Sequence, residues 1–482
     1  MTEELAKWRD ENLNKISCTF CAAKWYNASL HLGHGYTNSC HLPLPHPIDP
    51  EEIKSNPSAL HNTKLKKEAR KLMLEGKRPA ECSYCWKVED IGRNNIADRV
   101  FKSKIYKEED IAALKNLPWD ADVMLKTVEV SFDRTCNFAC SYCNAGYSTT
   151  WGKDIKQNGP YQRFKSSSAG AYYADGSWSE IYGKYNENNP YVNAFLEWWP
   201  ELSQHLEEIR VTGGEPSQSR NFWQFIELMK KYPSPNLRLA VNSNLGTSEK
   251  TLQKLIDATY DVDIKEFDLY TSNEAFGAAA EYIRDGIDYK QWRENMCTFI
   301  ENANPKTFRA LTIMMTINSL CLYSIVDFFE DMKELKAKYG HHRPNLDLNL
   351  LRWPAFMSPL ALPDDQKIKL RGELQGWYEK NKDSNLFVVG EKAQIERLID
   401  YLDVVEKGHN STESDKSLLH HDFKSFYEQY DVRRHKDFRK TFPDLVEWYD
   451  SIEVDNTIHK VKVNDGRLSN WEMGEYVSDK ID

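Results

Sequence analysis

Residues 124–143 read MLKTVEVSFDRTCNFACSYC. The first nine, Met124–Phe132, alternate apolar and polar residues as a strand does. Three cysteines follow at once, Cys136, Cys140 and Cys143, so their spacings are four and three positions. Downstream, strand-like segments recur at 206–212, 237–243, 265–272, 309–317 and 346–351, with helix-like segments between them. Phe222, Phe225, Ile226 and Met229 stand at i, i+3, i+4, i+7, and Ile325, Phe328, Phe329 and Met332 repeat that stripe. Leu252, Leu255 and Ile256 give a shorter match over 247–260, where Thr247 and Ser248 are the candidate caps, and 275–302 reads as one long helical region. Six strand–helix units predict an α/β fold with a parallel sheet, a partial (β/α)6 TIM-like barrel over 121–358. Such sheets carry function at the C-terminal ends of their strands.

Residues 1–120 have a different texture. LPLPHPIDP at 42–50 is punctuated by proline, a charged helix is expected over 61–75 and another from about Tyr106, and strand signals are few. Lys and Arg at 64–71 read as one solvated helix face. The connection 152–191 is long, polar and aromatic, the pattern of a lid, a binding loop or a disordered segment. Residues 359–482 read as a C-terminal helical region, interrupted by a polar linker at 408–417 and rich in aromatics, which are taken as core, like Trp198 and Trp199. The chain of 482 residues has a net charge of −10, which argues against a general nucleic-acid binder. Mean hydropathy is −0.68 and no run of 18 apolar residues occurs, so no membrane span is expected. The charged start, MTEELAKWRDENLNK, lacks an apolar stretch, and a reducing cytoplasm is the expectation.

Eight of the ten cysteines are grouped: Cys18 and Cys21, Cys40, Cys82 and Cys85, and the triplet. Clustered thiols in a reducing compartment point to metal or cluster ligands rather than disulfides. The triplet supplies three of the four ligands of a 4Fe-4S cluster and leaves one iron open to chelate a small molecule, against whose base Tyr142 can pack. Zinc is the alternative, though a structural zinc wants four closed ligands. At the end of the second strand stand Gly213, Gly214, Glu215 and Pro216. Paired glycines allow close backbone approach, and Glu215 with freed carbonyls can accept hydrogen bonds from an ammonium group; a plain turn is the alternative.

Together these two motifs resemble the radical S-adenosylmethionine (SAM) superfamily. The resemblance implies that Cys136, Cys140 and Cys143 ligate a 4Fe-4S cluster, that Tyr142 takes the aromatic position, and that Gly213, Gly214, Glu215 and Pro216 hold the methionyl amino group of SAM. It further implies contacts to SAM from Ser243, Asn244, Ser272 and Arg284. The implied activity is reductive cleavage of SAM, at the expense of a one-electron reductant such as a flavodoxin or ferredoxin, to a 5′-deoxyadenosyl radical that takes hydrogen from a substrate.

Cys21, then Gly33 and Gly35 in a hairpin-like stretch, then Cys40, then Cys82 and Cys85 supply four thiolates for a further cluster or a zinc. This order resembles the twitch domain, the shortened relative of the SPASM domain, and implies an auxiliary 4Fe-4S cluster within residues 1–120. Cys18 is a fifth candidate; Cys21 is favoured because Trp25 follows it by four. His31, His34 and His41 are further candidate ligands, though exposed loop residues are the favoured reading, and Cys297 and Cys321 read as buried apolar side chains in helices. The expected substrate is a peptide or protein side chain. A small molecule held at the auxiliary cluster is the second reading, and a zinc-stabilised scaffold without turnover is the third.

Overall fold

The computed structural model describes residues 2–166, 172, 188–403 and 413–455. Eleven strands are present among them, numbered here in chain order. In the N-terminal part are β1 (Asn27–His31), β2 (Tyr36–Asn38) and β3 (His46–Pro47). Then come β4 (Thr127–Ser131), β5 (Ala139–Cys140), β6 (Glu208–Thr212), β7 (Ser234–Ser243) and β8 (Ile264–Ser272), followed by β9 (Arg284–Asp285), β10 (Phe308–Ile317) and β11 (Asn345–Leu350).

Nine of these form one mixed sheet in the order β11-β10-β8-β7-β6-β4-β1-β2-β3. The run from β11 to β1 is parallel throughout, with helices in the connections. Alternation explains the layering. Val128, Val130, Ile209, Val211, Leu239, Val241, Leu269 and Ile313 are buried beneath the helices in the main core. The alternate residues face the other way and are polar: Arg238 bridges Glu208 at 2.7 Å and Asp268 at 2.5 Å, and Arg309 also reaches Asp268 at 2.5 Å. A buried parallel strand is usually apolar on both faces, so a polar face marks the side given to ligands.

The structure corrects several expectations in the flanks. The N-terminal part does contain strands: β1 lies parallel to β4, pairing Asn27 with Thr127 through His31 with Ser131, and turns back antiparallel into β2. It also has its own core, built by Leu13, Phe20, Trp25, Met73, Trp86, Val100 and Tyr106. The expected helix at 61–75 spans Lys64–Leu74, but Lys66 and Arg70 on it are fully buried rather than solvated. The region 275–302 is two helices, Gly277–Ile283 and Tyr289–Asn302, separated by β9. Ser248, not Thr247, caps the helix Glu249–Asp261. Cys297 is only half-buried, and Cys321 lies in a short 3₁₀ turn, Cys321–Tyr323.

Within the long connection a helix, Thr149–Asn158, forms first; residues 167–171 and 173–187 lie outside the described residues, as does 408–412 of the expected linker, whose remaining residues, 413–417, begin a helix instead. Beyond Pro363 the chain is helical as expected, and helix Glu413–Arg434 drives Phe426, Tyr427 and Tyr430 into the main core. No described helix is long and apolar enough to cross a membrane.

Candidate active site and a four-cysteine cavity

The loop after β4 carries the cysteine triplet, and it is held from several sides. On one side is the turn after β6. A Cβ on Gly214 would stand 2.4 Å from the Thr135 carbonyl oxygen and 2.6 Å from that of Arg134. Gly213, at φ +128°, would meet the Asp133 carbonyl at 2.7 Å. Only glycine permits this approach, which brings the Glu215 N–H to donate to Thr135 O at 2.6 Å. On another side β5 pairs antiparallel with β9, so Cys140 lies across from Arg284. The helix Thr149–Asn158 closes the loop: Ser148 Oγ caps it and donates to Phe138 O at 2.6 Å, and Thr150 Oγ1 donates to Cys136 O at 2.7 Å. The Trp151 indole donates to Cys140 O at 2.9 Å.

So held, the three sulfurs are half-buried on one short loop. Burial, reinforced by the neighbouring thiols, pushes Cys136 up to about 12, and burial raises Cys140 to about 11; Cys143 is raised as well. A bound cation reverses that cost, because a coordinated thiol is deprotonated outright. The donor set therefore fits a group that takes three thiolates and presents its remaining side outward.

Around the triplet the predicted residues fall into two sets. Glu215 is buried and its carboxylate is fully engaged by the protein: Oε1 accepts from Ser243 Oγ at 2.8 Å and from Ser217 N at 3.0 Å, and Oε2 from Asn244 N at 2.5 Å. Its role is thus to tie the β6 and β7 ends together. Asn244 reaches the cysteine loop, donating from Nδ2 to Asn137 Oδ1 at 2.9 Å, and Pro216 starts the turn that follows. Arg284 is almost wholly buried. Its Nη2 meets Glu274 at 2.6 Å, its Nη1 lies 3.9 Å from Cys140 Sγ, and its guanidinium stands 5.4 Å over the Tyr142 ring. The Tyr142 hydroxyl donates to Glu274 at 3.1 Å. Ser272 ends β8 on the polar face, in register with Met314.

Sequence reading missed Glu274, the fully buried carboxylate that organises Tyr142 and Arg284. Its signal was a lone acid two residues past a strand end. The histidines were misread too. His31 and His34 are not exposed, and burial lowers both to about 4; only His41 is exposed, 3.8 Å from Glu129.

In the N-terminal part Cys21, Cys40, Cys82 and Cys85 line one cavity, together with Met73 and Trp86. Cys18 is exposed outside it, 4.0 Å from Gly76 O. The expected hairpin, β1 and β2, brings Cys21 and Cys40 together, and the helix Ser83–Asp90 carries Cys85. Burial pushes Cys82 and Cys85 up to about 12 and raises Cys40.

The surroundings are cationic. Lys24 is buried and paired with Glu81, and the charges of Glu81 and Cys82 offset the burial that would otherwise lower it. Lys66 Nζ lies 2.6 Å from His61 Nδ1, and Arg70 bonds to Lys24 O, Ala121 O, His61 and Asn62. Neither Lys66 nor Arg70 touches a carboxylate in these contacts. Both stand outside the cavity lining, and burial lowers both, Lys66 well below the usual ammonium range; of the cations that line the cavity, Lys24 pairs with Glu81 and Arg99 with Glu89.

No curated protein matches the chain. Residues 130–329 match the radical SAM superfamily, which implies a 4Fe-4S cluster and SAM as cofactors. That span runs from the end of β4 to the helix before β11 and includes both the cysteine loop and the Gly213–Pro216 turn; the chain therefore carries a radical SAM domain, and the protein is a radical SAM enzyme.

Proposed function

We propose that this enzyme carries two 4Fe-4S clusters and acts on a peptide or protein side chain. Cys136, Cys140 and Cys143 would hold the first cluster, and Cys21, Cys40, Cys82 and Cys85 the second. The observation that carries the reading is the convergence of those four thiols on one cavity while Cys18 stays outside. Four protein ligands leave a cluster no open position, which favours a role in electron supply over gripping a small substrate. The substrate then belongs on the polar face of the sheet, at the C-terminal strand ends.

When bound, the first cluster and SAM supply a 5′-deoxyadenosyl radical that abstracts hydrogen. The chain's own residues do the rest. The Gly213–Pro216 turn holds the cysteine loop in place, Ser243 and Asn244 couple that loop to β7, and Ser272 ends β8 on the polar face of the sheet. Arg284 places a positive charge beside Cys140 Sγ and the Tyr142 ring. The aromatic packing of Trp151, Tyr161, Tyr172 and Phe426 closes the far side of the loop against water. The units 1–120, 121–358 and 359–482 serve as the auxiliary part, the SAM-cleaving core and its helical cover.

Anaerobic reconstitution tests this, with iron counting and 5′-deoxyadenosine formation measured together. About eight irons per chain are expected. Cys21→Ala should lower the count towards four while Cys18→Ala leaves it at eight, and Cys136→Ala should abolish SAM cleavage. Four irons in the intact protein, or equal effects of the two N-terminal substitutions, would refute the second cluster.

A further inference from the structure

The cavity of four cysteines is lined by residues from a basic stretch of the chain. Residues 64–107 hold thirteen Lys and Arg against six Asp and Glu, in a chain whose net charge is −10. Pairing removes charge of both signs: Glu75, Asp90 and Glu89 pair with Lys77, Arg78 and Arg99, Glu81 pairs with Lys24, and Lys64, Lys67 and Arg93 pair with Glu52, Asp122 and Asp10 outside the stretch, while Lys66 and Arg70 are buried. Lys87 and Lys107 are exposed and have no ion-pair partner among the described residues. Lys104 is exposed as well and meets only the Trp8 ring, at 5.9 Å.

Large apolar side chains stand among these charges. Tyr84, between Cys82 and Cys85, is 51% exposed, and Ile91, just past the end of the same helix, is 76% exposed. On the helix Asp98–Lys104 the cavity-lining residues are Asp98, Arg99 and Lys102. Phe101, three after Asp98, is 49% exposed, and Ile105, seven after it, is 59% exposed. By helical spacing Ile105 falls on the side of Asp98 and Lys102, and Phe101 stands beside Asp98 at the edge of that face. Exposed apolar side chains on the same short helices as exposed lysines are the composition of a transient protein interface, where charge steers encounter and aromatics supply contact. A polyanion without apolar surface would leave Ile91 and Ile105 uncovered.

We propose that this face docks an acidic one-electron carrier protein over the mouth of the four-cysteine cavity. Reductive cleavage of SAM consumes an electron that the chain must receive from outside. The basic surplus fits an acidic donor, and the thiols lie directly behind Tyr84. The inference rests on the two-cluster reading for the reason electrons should enter here, while the docking itself is tested separately.

An acidic flavodoxin carrying FMN serves as the probe, with its Kd for the reconstituted full chain measured at low and high salt. Binding should weaken at least tenfold with salt. Lys87→Glu with Lys104→Glu should weaken it at least tenfold at low salt, and Phe101→Ser with Ile105→Ser should do so at both salts. Iron content and dithionite-driven 5′-deoxyadenosine formation should stay at wild-type levels, since dithionite needs no docking. Unchanged Kd in both variants, or preferential binding of an oligonucleotide that Lys87→Glu with Lys104→Glu abolishes, would overturn the proposal. Four irons with charge-dependent flavodoxin binding would retire the second cluster and support the docking face.

Discussion

Gly214→Ala is the most direct probe of how the core sets its cysteine loop. The added methyl would sit 2.4 Å from Thr135 O, 2.6 Å from Arg134 O and 2.7 Å from Arg134 C, all backbone atoms that no rotamer change can move aside. Reaching the 3.0–3.4 Å range of tight but tolerated contacts requires the 134–135 backbone to retreat by 0.6–1.0 Å. Cys136 is the next residue, so the displacement passes to the first sulfur of the triplet. The hydrogen bond from Glu215 N to Thr135 O, now 2.6 Å, opens with it. Overpacking of this kind costs about 1–3 kcal/mol, and misplacement of a reacting group by about 1 Å costs on the order of 10²-fold in rate. The assay is 5′-deoxyadenosine formation from SAM under dithionite, beside thermal unfolding. Gly372→Ala, within the helix Asp364–Asn381 and with nothing within 4 Å of its Cβ, is the control; it should leave both readouts unaltered or raise stability slightly. Wild-type rate and unfolding midpoint in Gly214→Ala would refute the claim that this contact positions the loop.

Three further outcomes are expected. Arg284→Gln strands the fully buried Glu274, so the denaturant midpoint should fall by the equivalent of about 3–5 kcal/mol; a change below 1 kcal/mol would contradict it. Glu81→Gln leaves buried Lys24 without its carboxylate and should cost about 3 kcal/mol, measured the same way. Burial holds His31, His34 and His46 at about 4 in the folded chain, against 6.5 when exposed. The unfolded chain therefore binds more protons between those values. Stability should be full above pH 6.5 and fall steadily as the pH drops towards 4. A flat unfolding profile across that window, in His31→Gln/His34→Gln as in the parent, would argue against the assignment.

The parallel strands were legible because their signal is local. TVEVS and EIRVT alternate plainly, and each structural strand lies within a few residues of its expected span. Strand β1, NASLH, carries no β-branched residue; it is a strand because β4, a hundred positions later, offers it a ladder. Lys66 and Arg70 share a helix that reads as charged and solvated, and only the tertiary fold places His61, Asn62 and backbone carbonyls where they can satisfy buried cations. The cysteine triplet and the glycine pair were visible as spacings. That the glycines press on the very loop bearing the cysteines is a contact between strands β4 and β6, beyond the reach of any window of sequence.

The pairing of β1 with β4 also bears on how the chain can be divided. Five residues of β4 are matched on that side by five of β1. A protein begun at residue 121 would present β4 as a bare edge, its amide and carbonyl groups facing solvent along a strand whose helix-side residues, Val128 and Val130, are fully apolar. Such an edge recruits other strands and leads to aggregation. The first hundred residues thus act as the sheet's guard against self-association, and a shortened enzyme will require a substitute for that missing strand before it stays in solution.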